Sequence, residues 1–220
     1  MKTIPLFLLL FAVSFAFGQR KIKVHEENEK FSTGSKNALV ATIYESTPDD
    51  IEKAWKKLMK DYGAKMTMKK EIFADDALIK DMSPNTCDIY TFVRKINDDE
   101  NEIVVGVDLG GAYLSSSEHS SKYKIMSRII YDFAVQASID AIKEKQKDAE
   151  KVLAEKEKEK EDLIRDNEKL AKDIEDYKNK ITKAEGDIEK NKTLQSDKEK
   201  EIETQKKVVE EIAARQKAVD

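Results

Sequence analysis

The chain has very few of the side chains that build disulfides and zinc sites. It contains one cysteine, Cys87, and two histidines, His25 and His119. One cysteine cannot form an internal disulfide, and these three residues cannot supply the four ligands of a structural zinc site. We therefore predict no metal and no cofactor. Cys87 begins an apolar stretch and is interpreted as a small buried side chain, with a disulfide across a dimer as the alternative.

Catalytic motifs are also missing. Residues 25–29 lack the second histidine of a zinc-protease helix, and Gly110-Gly111 is not followed by the Gly-Lys-Ser/Thr of a phosphate-binding loop. Residues 98–102 are acidic but lack the ligand spacing and glycine of a calcium loop, so they are interpreted as a hairpin turn. We predict that the protein is not an enzyme. The alternative is a catalytic cleft built from residues that are distant in sequence.

Neither sign of charge is in large excess, since 40 Lys and Arg oppose 44 Asp and Glu. The two signs are mixed along the chain, which predicts no general attraction to nucleic acid. One long apolar run, residues 6–17, follows Lys2 and precedes Gly18. This pattern is typical of a secretory signal peptide. We predict cleavage after Gly18, which leaves an exported, periplasmic or extracellular chain whose only membrane contact would be an uncleaved signal segment.

Proline, glycine and aromatic residues become scarce after about residue 140. The last 80 positions contain no proline, one glycine (Gly186) and one aromatic residue (Tyr177). Residues 19–140 are long enough for one hydrophobic core. The sequence thus predicts three parts, namely a signal peptide (1–18), a head domain (19–140) and a coiled-coil stalk (141–220).

The head has the pattern of an α+β domain. Residues 20–36 are predicted as a loose arm or a marginal strand. A helix follows the strand 38–44, with Thr47 as its cap, Pro48 in its first turn and Gly63 after its end. Further extended segments are predicted at 65–73, 77–82, 87–96 and 102–109, before a helix that begins near residue 120. This order predicts a small antiparallel sheet with one packed helix, continuing into a long C-terminal coiled-coil helix.

The long helix is charged and has one apolar stripe. From Val135 to Val219 apolar residues recur in an unbroken heptad register, with a positions that include Ile139 and d positions that include Val135. We call the a and d positions the seam. A stripe that repeats every 3.5 residues needs cover from another helix, so the pattern predicts a coiled coil.

Several features favour a parallel, in-register homodimer. Isoleucine and valine are common at a, Asn167 at an a position can fix the register, and g residues such as Asp173 face e residues of opposite sign. The alternatives are an intrachain helical hairpin that turns near residues 191–197, a higher oligomer and another helical partner protein. The predicted oligomerisation residues are Leu163, Asn167, Leu170, Ile174, Tyr177, Ile181, Ile188, Ile202, Val209 and Ile212.

Three stretches carry a family resemblance, namely residues 35–40 (SKNALV), 57–65 (KLMKDYGAK) and 108–116 (DLGGAYLSS). With the signal peptide and the tail, they resemble uncharacterised exported bacterial proteins that join a small α+β head to a coiled coil. The resemblance implies a bacterial origin and an envelope location, and it carries over no active residue.

The sequence as a whole predicts an exported structural or adaptor protein that is oligomerised through its coiled-coil tail. The alternative is a head that binds a small molecule or an envelope component, and a pocket between the first helix and the sheet is the site expected for that role.

Overall fold

The computed structural model describes residues 20–217, so the predicted signal peptide lies outside the described residues. The predicted fold class is confirmed, because the chain forms an α+β head and a long C-terminal helix. The elements are β1 (Val24–Phe31), β2 (Gly34–Tyr44), α1 (Pro48–Asp61), β3 (Lys65–Met68), β4 (Ile72–Ala77), β5 (Cys87–Lys95), β6 (Glu100–Asp108) and α2 (Ser120–Lys217).

The six strands form one antiparallel sheet in the order β1-β2-β6-β5-β4-β3. The pairing between the strands most distant in sequence joins β2 to β6, with Leu39 opposite Val105. Side chains alternate between the two faces of each strand. Leu39, Val105 and Ile89 of β5 are completely buried in the cluster that also contains the apolar residues of the helices. One face of the sheet is therefore covered by helices.

The ends of α1 follow from local chemistry. Thr47 has an extended backbone and its side-chain oxygen accepts a hydrogen bond from the amide of Asp50 at 3.2 Å. Pro48 follows in the first turn, where a missing N–H leaves no hydrogen bond unmade. Gly63 has a φ of 80° just beyond the helix, a conformation that glycine adopts without steric cost.

The main core lies between the sheet, α1 and the start of α2. Ile51, Trp55 and Met59 of α1 are completely buried. The Trp55 indole nitrogen donates a hydrogen bond to the Thr91 hydroxyl at 2.9 Å, and its ring lies 4.9 Å from that of Phe133 in an edge-to-face arrangement. The space between α1 and the sheet, where a pocket was predicted for the ligand-binding alternative, is filled by these side chains.

The opposite face of the sheet has a smaller core. Phe31 is 3% exposed and lies in an apolar cluster with Val104. A Cβ atom on Gly106 would lie 2.9 Å from the Phe31 ring, so glycine permits this close approach. The turn after β1 reaches the residue that precedes β4, where the Ser32 amide donates to the Glu71 carboxylate at 3.1 Å. Since three strands separate β1 from β4, the sheet curls so that β1 leans over this face.

Some segments differ from the sequence predictions. The residues expected to form an arm or a marginal strand contain β1, which pairs with β2 over eight residues. Residues 65–73 form a hairpin of two short strands, because the chain reverses where the Lys69 amide donates to the Glu71 carbonyl. The strand predicted at 77–82 is wrong beyond Ala77, since the Met82 amide bonds the Ile79 carbonyl and closes a turn there.

The described chain divides into two units that meet between Ala149 and Glu150. In the first unit α2 buries Met126 and Ile130 in the main core. In the second unit the chain is helical without a break up to Lys217. The alternative of an intrachain hairpin at residues 191–197 is therefore wrong for the described chain, which continues as helix through that segment.

Candidate interaction surfaces

The ten predicted oligomerisation residues lie on α2, in the unit that begins at Glu150. All are exposed in the single chain. The nine apolar side chains among them range from 49% exposed at Ile202 to 64% exposed at Leu163. With a rise of about 1.5 Å per residue, the stripe from Leu163 to Ile212 is about 74 Å long. Exposed apolar surface on this scale is characteristic of a protein interaction site.

Four other apolar side chains widen this stripe. Val152, Ile164, Leu194 and Val208 are between 40% and 64% exposed and occupy e or g positions. They lie outside the seam as the sequence defines it, although e and g flank the a and d positions of a packed coil. Their contribution could have been recognised by considering the whole contact surface of a coiled coil rather than its two central rows.

The ion pairs of the tail helix are local. Lys156 pairs with Glu159 at 2.8 Å and Lys192 with Glu189 at 2.7 Å, three residues apart in each case. All four side chains are more than half exposed, so each pair contributes about 0–1 kcal/mol. These ion pairs lie along a single helix and do not cover its apolar stripe.

A second exposed apolar surface lies in the head, between its N-terminal residues and α2. It is a groove of about 560 Å³. Tyr131, Ile139 and Ile142 in its wall are 39%, 40% and 51% exposed. Ile139 and Ile142 belong to the predicted seam, but the groove was not predicted from the sequence. We call this surface the head groove, and its apolar lining consists of Ile22, Tyr44, Tyr131, Val135, Ile139 and Ile142.

An ion-pair cluster borders the head groove. The two carboxylate oxygens of Glu45 accept hydrogen bonds from Lys145 of α2 and from Arg20, both at 2.7 Å. The hydrogen bond from Lys145 is the main reason that the pKa of Glu45 is lowered, and Arg20 adds to the effect. The cluster joins the first described residues of the chain to α2, on either side of the groove.

Three carboxylates meet where β4 ends in a bulge. One oxygen from each of Asp75, Asp76 and Asp88 lies within 4.8 Å of the others. Asp88 accepts a hydrogen bond from the Asp76 amide, while the Asp76 carboxylate accepts one from Thr86 and pairs with Lys65. Asp76 has a φ of 58°, which asparagine and aspartate tolerate better than most residues. The cluster is thus accounted for by the local structure of the strand end.

The cysteine and the histidines have structural surroundings. Cys87 is a free thiol that is 4% exposed, and burial raises its pKa to about 11. It is a small buried side chain, as the sequence predicts. His25 pairs with Glu27 at 3.1 Å on an exposed strand, and His119 immediately precedes α2.

Comparison of the chain with protein-family models, with curated proteins and with solved structures found no match. Within residues 20–217, no helix is both long enough and apolar enough to cross a membrane. Functional proposals for this chain therefore rest on its two exposed apolar surfaces, namely the stripe on α2 and the head groove.

Proposed function

We propose that this chain is an exported structural or adaptor protein whose C-terminal helices pair in a parallel, in-register homodimer. The observation that carries the proposal is the stripe of nine apolar seam side chains, each 49% exposed or more. Covering an exposed Leu or Ile side chain stabilises a complex by about 1–2 kcal/mol. A second helix laid along this stripe would therefore gain enough to offset the cost of association.

The polar residues support the parallel register. Asn167 interrupts the apolar a positions, and in a parallel dimer it faces the same residue of the partner chain, where two amides can bond each other. Between residues 150 and 217, parallel pairing opposes four g–e pairs of opposite sign, such as Asp173 with Lys178 and Lys180 with Glu185, and no pair of like sign. Residues five apart cannot pair along one helix. Each of these g–e pairs can therefore form only across the dimer, where it adds to the ion pairs that Asp187, Lys192 and Glu201 already make within their own helix.

The proposed location is the envelope or exterior of a bacterial cell, periplasmic or extracellular, and it is supported by the signal-peptide pattern. The proposed role is non-catalytic, with the tail holding two heads together as a structural or adaptor unit. The alternative, a head that binds a small molecule or an envelope component, stays a prediction. The pocket expected for it is filled by Ile51, Trp55 and Met59.

The dimer is tested by the substitution Ile181→Asp, with Thr182→Asp as its matched control. Ile181 is an a residue that is 58% exposed, whereas Thr182 at b points away from the seam. A carboxylate at a would be buried against its mate, without a partner for either charge. By light scattering on the chain from Gln19 onward, we expect a dimer for the unchanged chain and the control, and a monomer for Ile181→Asp.

A monomeric unchanged chain would contradict the proposal, as would a dimer that survives Ile181→Asp. Fluorescence of the single tryptophan, Trp55, reports whether the head is folded in every variant. A loss of mass can then be assigned to the tail rather than to a misfolded head.

A further inference from the structure

Within the head, α2 has two apolar faces. Met126, Ile130 and Phe133 are buried in the main core, as part of the face that packs on the sheet. Ile139 and Ile142 belong to a different face, which lines the head groove and is about half exposed. At about 100° per residue, the centres of the two faces lie roughly 180° apart around the helix. The second face thus lies away from the head's own core, and nothing in that core accounts for its apolar character.

We propose that this second face receives the same face of a second copy of the chain, so that the dimer contact begins inside the heads. The inference rests on the proposed dimer and adds a defined head-to-head interface to it. The central residues are Val135, Ile139 and Ile142 of each chain, with Tyr131 at the margin. Such a contact is isologous, because each copy offers the same patch to the other.

Heptad phase supports a second copy as the occupant. Val135 and Ile142 are d residues and Ile139 is an a residue of the same register that contains Leu163 and Ile181, with no inserted or deleted residue between them. A parallel coiled coil keeps its a and d positions facing the partner for as long as the register continues. A helix that covers the tail stripe in register is therefore set to cover the groove residues as well.

On the α2 side of the groove, the charges are compatible with a second copy. The flanking e and g residues Gln136 and Ser138 are uncharged. The Ser138 hydroxyl is already engaged by the head, since it accepts a hydrogen bond from the Tyr44 amide at 2.9 Å. The next g residue, Lys145, is neutralised by Glu45 of its own chain at 2.7 Å. Arg20, Lys21 and Lys23 line the N-terminal side of the groove, so two copies avoid opposing like charges only along the α2 side, where the seam residues lie.

Disulfide cross-linking tests the interface in the full chain from Gln19 onward. The variants Ile142→Cys (in the groove), Ile181→Cys (in the tail seam) and Glu144→Cys (an outward f position) each carry one new cysteine, with Cys87→Ala in every case. Facing a residues and facing d residues of a parallel coil approach closely enough for a disulfide, whose Cα atoms are about 4.4–6.8 Å apart. We expect Ile142→Cys and Ile181→Cys to form covalent dimers under mild oxidation at least ten times faster than Glu144→Cys.

Comparison of Ile142→Cys with Ile181→Cys distinguishes a failure of the head interface from a failure of the dimer on which it rests. If Ile181→Cys cross-links but Ile142→Cys reacts no faster than Glu144→Cys, the head interface is refuted and the tail dimer stands. If neither residue cross-links, both the interface and the dimer are refuted. Ile142 is 51% exposed in the single chain, so its replacement removes no core contact, and Trp55 fluorescence verifies that the head is folded.

Discussion

Replacing Gly106 with alanine tests whether Phe31 packs directly against the backbone of β6. Gly106 has no positive φ, so alanine can adopt its backbone conformation. The added Cβ would lie 2.9 Å from two carbons of the Phe31 ring, much closer than van der Waals contact. The ring is 3% exposed and lies 5.6 Å from that of Phe92, so it cannot move without losing contacts. Overpacking of this kind costs about 1–3 kcal/mol in the free energy of unfolding.

The effect of Gly106→Ala on stability is expected to change sign in a chain that lacks the Phe31 ring. In a Phe31→Leu chain the two clashing ring carbons are absent. Alanine is then expected to stabilise the strand by about 0.5–1 kcal/mol, since glycine loses more conformational freedom on folding. The effect of Gly106→Ala is therefore expected to invert between the two backgrounds, with a coupling energy of roughly 1.5–4 kcal/mol.

Urea denaturation followed by tryptophan fluorescence measures this coupling. Trp55 is the single tryptophan, is completely buried and lies in the head, so its signal reports the unfolding of that unit. Gly186→Ala is the matched control, because the same methyl group meets nothing within 4 Å in the tail helix. We expect it to leave the Trp55 transition unchanged. Equal effects of Gly106→Ala in both backgrounds would refute the described packing of Phe31.

Two further predictions concern ionisable groups. The lowered pKa of Glu45 means that its ion pairs stabilise the fold above pH 4.5, its ordinary value, and that this contribution is lost as the pH falls through the lowered pKa. Since Lys145 is 56% exposed, Glu45→Gln should lower the free energy of unfolding by about 0.5–1 kcal/mol at neutral pH and should have no effect in acid. Urea denaturation at a series of pH values measures this difference. A difference that does not change with pH would contradict the prediction. For Cys87, a pKa of about 11 instead of 9.0 leaves about one thiol in a thousand ionised at pH 8, rather than about one in ten. Ellman's reagent should therefore react with the folded chain at least 100 times more slowly than with the urea-unfolded chain. Equal rates would mean that the thiol is not buried.

The elements that could be predicted from the sequence are those specified by neighbouring residues. Thr47, Pro48 and the apolar spacing of α1 identify a helix within a few residues of its true ends, because capping and periodicity are local. The unbroken heptad register predicts α2 in the same way. The strand predicted through Met82 failed because a turn hydrogen bond at Ile79 outweighs its apolar composition.

Features that depend on distant residues could not be predicted. Nothing in the local pattern indicates that β2 lies beside β6, or that Phe31 needs a glycine at position 106. The two candidate surfaces also differ in whether they depend on neighbouring or on distant residues. The seam was predicted because it repeats along one helix, whereas the head groove also needs Ile22 and Tyr44, which the fold brings to α2 from far away in the sequence.

The pairing of β2 with β6 has a consequence for the order in which the chain folds. Leu39 and Val105 are paired although they lie 66 positions apart in the sequence, and such non-local pairing slows folding. The turns of α2 beyond Glu150 need only their neighbours, and helical segments form within about a microsecond. After dilution from denaturant the tail helix should therefore appear well before the head, and it would be ready to meet a second chain while the sheet is still closing.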